Sequence, residues 1–348
     1  MSITVRRFEM AAPDDTRALA AVLDACSASN ADKITLVAKT EGTATVNDFV
    51  RSLTMRAIRD ALAAAAVRIE AQVILSMGSE GIITPGGYLF VERRAEAGDH
   101  GGLALGNGRS ERLTGADLVN ERHIEAMRQA VARGIGDAGL RPEDVALVLA
   151  KTPLLTREMA ANLPPRQKEA GNSSSLSRAA AALGIAVALG EIEKPTEDAI
   201  GRRHDLYCRR AMVFSGTETD RCEVVVLGNK PGRPTAIRSG IISDLIDIDG
   251  MARIVCGRPD ATLADARKII DADRVRAAFL KAGVAPDGRV RGQRTTVFSS
   301  DLDPDKHMRA AASGALGALL GDTRFFVSGG AEHQAPPGGG VFAVILGD

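Results

Sequence analysis

Val73-Ile74-Leu75-Ser76-Met77-Gly78-Ser79-Glu80 is an apolar run that breaks into serine, glycine and glutamate, and the chain writes it three times. The later copies are Met212-Val213-Phe214-Ser215-Gly216-Thr217-Glu218 and Phe325-Phe326-Val327-Ser328-Gly329-Gly330-Ala331-Glu332. Upstream of each copy lies another apolar run (34–39, 145–151 and 275–281), closed by Lys39, Lys151 and Lys281. Between the two runs an arginine stands near the start of a helix rich in small residues: Arg51, Arg178 and Arg309. A repeat of roughly a hundred residues is too long for a solenoid unit and suits a small domain. Three Lys/Arg/Ser sets therefore predict three related units around a shared centre.

Strands alternate with helices throughout, so the fold class expected for each unit is α/β. The units are placed at 1–105, 115–245 and 249–348. Helical material is expected at 13–26. Asn47 and Asp48 are N-cap candidates for the helix that carries Arg51 and runs to about Ala66. The Gly-, Arg- and Glu-rich stretch 93–115 lacks periodicity and reads as a connector. A helix follows at 121–138, and the polar loop 172–175 caps the helix of Arg178. Asp303-Pro304-Asp305 is a Pro-assisted start for the helix of Arg309.

Composition excludes several classes. Of 348 residues, Lys+Arg and Asp+Glu each number 44, so there is no positive surplus for nucleic acid or an anionic membrane. Aromatics are only 3% with no Trp, which argues against stacking platforms for bases. Cys26, Cys208, Cys222 and Cys256 show no metal-like spacing and read as free thiols of a reducing compartment. The N-terminus lacks a signal-peptide core, and no stretch nears the roughly 20 apolar residues of a membrane span. A cytoplasmic protein is expected.

The recurring residue types suit one chemistry. A serine hydroxyl needs a base beside it, and a lysine serves if burial or neighbouring cations depress its pKa. Arginine's rigid fork holds planar groups rich in oxygen. Glycines after a strand-end serine let backbone N–H groups face a developing oxyanion. Together they suit attack on an amide carbonyl of a small, oxygen-rich ring, and a ring with three like edges could be gripped on each by one repeat.

The segments resemble the ring-opening cyclic amide hydrolases, the family of cyanuric acid hydrolase and barbiturase. The likeness rests on Lys39-Thr40-Glu41-Gly42 with Val46-Asn47-Asp48-Phe49, on Lys151-Thr152-Pro153-Leu154-Leu155-Thr156, and on Ser177-Arg178 with Ala182-Leu183-Gly184 and Ala188-Leu189-Gly190-Glu191. It continues in Gly321-Asp322-Thr323 and Phe326-Val327-Ser328-Gly329-Gly330-Ala331-Glu332-His333-Gln334, and covers nearly the whole chain. The resemblance implies three homologous α/β repeat units about a pseudo-three-fold axis with a central active site. It also implies ring opening by a Ser–Lys dyad in the second repeat, so Lys151 and Ser215 are the catalytic candidates. Lys39, Arg51, Ser76, Met77, Arg178, Gly216, Lys281, Arg309, Ser328 and Gly329 then contact a cyclic imide or ureide. A homo-oligomer, a tetramer by resemblance, is implied as well.

Two departures qualify the likeness. The second serine motif is one residue tighter than the others: aligning the apolar runs keeps Ser215, which is preferred here, whereas counting back from Gly216 puts Phe214 at the serine position. A reshaped or disabled second site, a different ring, and a ring-binding protein without catalysis stay open beside it. The family's structural divalent cation would use backbone carbonyls of Ala331, Gln334, Ala335, Pro336 and Gly339 plus an acid where this chain has Gly283. Without that carboxylate a hard cation binds more weakly, so a weak or empty site and no required cofactor are expected. His333 is read as a structural hydrogen-bonding residue.

Overall fold

The protein is described by a computed structural model over residues 1–43, 48–94 and 101–347. Asn47 and part of the expected connector (95–100) lie outside the described residues. Among the described residues twelve strands form three sheets: β1 Ser2–Glu9, β2 Lys33–Thr40, β3 Gln72–Met77 and β4 Gly86–Arg93; β5 Leu103–Arg112, β6 Val145–Pro153, β7 Ala211–Gly216 and β8 Arg221–Asn229; β9 Ile237–Ile242, β10 Val275–Ala282, β13 Phe326–Gly329 and β14 Gly340–Leu346. A small hairpin, β11 Arg289–Val290 and β12 Gln293–Arg294, stands apart from them. Each sheet has the same order: its first strand, then its fourth, second and third. In each, the lysine strand runs parallel to the serine strand and antiparallel to the last one.

Strand alternation divides every sheet into two faces. Val37, Ile74, Leu149, Met212, Phe279 and Phe326 point inward and form one core shared by all three sheets. The intervening residues point outward to helices. In the first sheet Leu36, Ala38 and Leu75 meet α1 (Arg17–Ala25) and α2 (Val50–Ala64). In the second, Val148, Ala150 and Val213 meet α3 (Glu121–Ala138) and α5 (Ser174–Ala188), the latter preceded by the short α4 (Pro165–Asn172). In the third, Ala278, Leu280 and Val327 meet α6 (Ile248–Cys256), α7 (Leu263–Asp271) and α8 (Pro304–Leu320).

Two of the helix signals act as the sequence suggests, whereas α1 starts only at Arg17, and α2 has Phe49 at its N-cap, with Asp48 one residue earlier accepting the Val50 N–H at 3.0 Å. Ser173 accepts the Leu176 N–H at the start of α5, and Asp303 accepts that of Asp305 at the start of α8, with Pro304 in its first turn. The alanines of α5 are buried because only small side chains let it lie close to its neighbours.

Two boundaries are corrected. The expected connector contains β5, which pairs with β8 and belongs to the second sheet. Its glycines misled: a Cβ at Gly106 would stand 2.1 Å from the Gly134 carbonyl of α3, and one at Gly108 2.0 Å from that of Ala130. They let a helix lie directly on a strand rather than punctuate a loop. Likewise β9, assigned to the second unit, pairs with β14, so the third sheet begins before Asp249. Among the described residues no helix is long and apolar enough to cross a membrane.

Candidate active site

The lysine strands end at one end of the shared core, and their register with the serine strands decides what each lysine faces. Lys39 stands beside Ser76 and Lys281 beside Ser328. Lys151 stands beside Phe214, and Ser215 one step on beside Thr152. Ser215 therefore shares a face with Thr152, whose Oγ1 lies 2.6 Å from His123 Nε2 and 3.2 Å from Ser177 Oγ in the helix layer. This corrects the preferred alignment: Ser215 is turned away from Lys151. The reason lies in the glutamate, which follows the inward residue by four positions in every copy: Ser76 to Glu80, Phe214 to Glu218, Ser328 to Glu332. Met77 is also displaced from its expected role. It pairs with Thr40 on the outward face and packs on Gly42.

All three lysines are buried. Burial, the repulsion of Arg309 and that of Arg51 push Lys39 down to about 7, against the pull of Glu80. Its Nζ has no hydrogen-bond partner among the described residues. Lys151 is lowered to about 8 by burial, with Glu218 opposing and Arg51 assisting. It donates to Glu218 and, at 3.0 Å, to the Leu75 carbonyl. Lys281 falls well below the ordinary lysine value through burial and the nearby Arg178. Its Nζ donates to the Gly329 carbonyl at 2.5 Å, lies 3.3 Å from Ser328 Oγ, and sits 5.0 Å from the centroid of the Phe214 ring.

Each arginine crosses to the next sheet's glutamate. Arg51 of α2 binds Glu218 at 2.7 Å, Arg178 of α5 binds Glu332 through two bonds of 2.6 and 2.8 Å, and Arg309 of α8 binds Glu80 at 2.7 Å. The cycle closes: first to second, second to third, third to first. A Cβ at Gly330 would stand 2.2 Å from Arg178 Nη2, so this position must stay bare for the guanidinium to arrive. Its φ of 74° independently favours glycine. The bidentate Arg178–Glu332 pair lies in a largely dry setting, so removing one partner strands the other's charge. Arg178→Ala is expected to lower stability by about 2 kcal/mol, discounted because Glu332 keeps some exposure. Thermal unfolding checks this, and Arg178→Ala with Glu332→Gln should recover part of the loss. An open cleft beside the second sheet is lined by Arg51, Arg109, Glu218 and Lys151.

Residues 4–347 match the model of a family described as amidohydrolase ring-opening protein. The chain belongs to that family. Among relatives of this ring-opening amidohydrolase, a cyanuric acid amidohydrolase of Pseudonocardia dioxanivorans is 39% identical over 342 residues, covering 96% of this chain and 95% of its own. Barbiturase 1 of a Nocardioides species is 33% identical, with 99% and 98% covered. The crystal structure of cyanuric acid hydrolase from A. caulinodans superposes with a TM-score of 0.84 at 33% identity, covering 99% of this chain and 98% of that one.

The family's structural cation finds poor donors in this amidohydrolase. Gly283 donates to the Gly339 carbonyl, and a Cβ there would meet Ala331, so the position that would carry the acid faces the right segment but has no side chain. The Ala331 and Pro336 carbonyls already accept the N–H groups of Gln334 and Gly339. The Gln334 side chain accepts the Val213 N–H at 2.7 Å. With no carboxylate at 283 a hard divalent ion would have only carbonyl oxygens here and bind more weakly, and no chemistry is assigned to one. His333 bonds the Leu206 carbonyl and accepts the Gly201 N–H, tying two loops.

Sequence reasoning gave no role to Glu80, Glu218 and Glu332. Their constant distance from the inward strand residue was the signal that could have found them.

Proposed function

We propose that this protein hydrolyses one amide bond of a small cyclic imide or ureide held where the three sheets meet, about a pseudo-three-fold axis. The observation that carries the reading is the set of three buried lysines at one end of a single core, two of them facing a serine in register. The repeated sheet order and the closed arginine–glutamate cycle support the axis. A division into three units, one per sheet, belongs to the same reading and is supported by sheet membership. The relatives named above act on cyanuric acid or carry the name barbiturase, which supports a cyclic amide as substrate. A cytoplasmic homo-oligomer, tetrameric by resemblance, belongs to the same reading, and four free cysteines agree with a reducing compartment.

The reacting pair is Ser328 with Lys281. A neutral amine has two N–H donors and one lone pair: Lys281 can donate to the Gly329 carbonyl and still accept the Ser328 proton. Ser328 Oγ attacks a ring carbonyl as its proton passes to Lys281. The oxyanion forms near the glycine N–H groups that follow Ser328. The C–N bond breaks, Lys281 returns the proton to the departing nitrogen, and water hydrolyses the acyl ester. Burial, and after it the repulsion of Arg178, lower the Lys281 pKa and so favour the amine form that accepts a proton, while Arg178, Arg51 and Arg309 present cationic edges to the ring oxygens. Incubation with a panel of cyclic imides and ureides, read by mass spectrometry, tests this. A product heavier by one water is expected, and binding without such a product would sink the enzyme reading in favour of a ring-binding protein.

A further inference from the structure

A ring with three like carbonyl edges would meet three like polar sets, yet here the second set has lost its hydroxyl. Phe214 occupies the register position that Ser76 and Ser328 hold in the other sheets. It is buried, packs against Phe326 with ring centroids 5.3 Å apart, and continues the apolar core upward into the layer of lysines. The remaining polar groups of that set are largely spent within the protein. Lys151 is held by Glu218 and the Leu75 carbonyl, and Glu218 also takes Arg51 Nη1, while the buried Arg51 Nε has no hydrogen-bond partner among the described residues. In the first set, by contrast, Lys39 Nζ itself has no hydrogen-bond partner among the described residues.

We propose that Phe214 sets substrate choice: the ring this enzyme opens presents a hydrocarbon edge to the second sheet and carbonyl or N–H edges to the first and third. The inference rests on the ring-opening reading and narrows its substrate class to six-membered imides or ureides with two carbonyls and a C–H edge. Rings carrying three carbonyls are disfavoured. A carbonyl pressed against a phenyl group loses its water and gains no hydrogen bond, whereas a methylene loses nothing there and gains contact. Phe214 also gives Lys281 an apolar neighbour in place of a second hydroxyl. Ser328 is then the only side chain that hydrogen-bonds Lys281 among the described residues.

The experiment compares kcat/KM and calorimetric affinity for glutarimide, dihydrouracil and cyanuric acid. It uses the wild-type protein, Phe214→Ser and Phe214→Leu. Wild type is expected to favour glutarimide or dihydrouracil over cyanuric acid by at least about tenfold, the discrimination a single pocket contact supplies. Phe214→Ser should shift that ratio toward cyanuric acid by about tenfold, and Phe214→Leu, which keeps an apolar wall, should preserve it. A wild-type preference for cyanuric acid overturns the proposal. An unchanged ratio in Phe214→Ser also overturns it, since Phe214 then only fills the core. If Phe214→Ser does not fold, the wild-type and Phe214→Leu ratios decide. If no ring is opened, the ring-opening reading falls, while the affinities across the same panel still support or overturn the role of Phe214.

Discussion

Ser328→Ala removes the proposed attacking atom, and turnover of any ring the wild-type protein opens is expected to fall on the order of 10⁴-fold or more. Loss of a serine nucleophile in a hydrolase costs that much because the remaining site offers only binding and oxyanion stabilisation. Lys281→Ala should cost as much, and the double variant no more, because two groups that act as one unit lose their effect together. The other serines separate the alternatives. Ser76→Ala loses at most one hydrogen bond to the ring, about 1 kcal/mol, and should act mainly on KM. Ser215→Ala lies on the helix side of its strand and should leave kcat and KM near wild type. Lys151→Ala should weaken the Arg51–Glu218 corner without abolishing turnover, since no serine stands beside it. Steady-state kinetics on one confirmed ring checks the set. A Ser328→Ala enzyme within tenfold of wild type would reject the assignment, and loss confined to Ser76→Ala would move the reaction to Lys39.

The α/β class and the positions of all three lysines and arginines were legible in the sequence, because apolar runs and alanine-rich helices carry the periodicities that place them. What was not legible traces to two physical features. Glycine has two uses, and the strand at Leu103–Arg112 employs it for close helix approach, which looks like a loop in one dimension. A strand also sends alternate residues to opposite faces, so a register slip of one residue exchanges Ser215 for Phe214. Nothing in the apolar run 211–214 distinguishes the two registers, whereas the glutamate four positions on does, because it must reach the arginine of the preceding sheet. The likeness to hydrolases with a reacting second repeat pulled the alignment toward a serine there. The pairing of Lys151 with Phe214 leaves a serine beside the lysine in the first and third repeats, and of these two only Lys281 lies within hydrogen-bond distance of its serine.

Lys39 tests the cost of keeping such a site. An amine buried without a partner destabilises the folded state, because the unfolded lysine protonates near 10.4 while the folded one is pushed down to about 7. The sign follows from proton counting. Between these two values the unfolded chain binds a proton that the native state does not, so stability rises with pH across that window. The destabilisation is fully present below about 7 and fades as pH approaches 10.4. Lys39→Met keeps the stem's volume and removes the amine. It is expected to raise stability at pH 7 by about 3 kcal/mol, a conservative reading of roughly three units at 1.36 kcal/mol each. Lys151 and Lys281 titrate in both proteins, so the difference between variant and wild type isolates Lys39. Denaturant unfolding at pH 7, 8.5 and 10 should show that difference shrinking steadily. A variant no more stable than wild type at pH 7, or a gain that persists undiminished at pH 10, would mean that Lys39 has a partner and a near-ordinary pKa. The same variant should bind the ring more weakly, since the amine left unpaired in the folded protein is the group most available to a ring oxygen. Stability gained and affinity lost at one position would identify Lys39 as a residue held at the expense of the fold for the sake of the substrate.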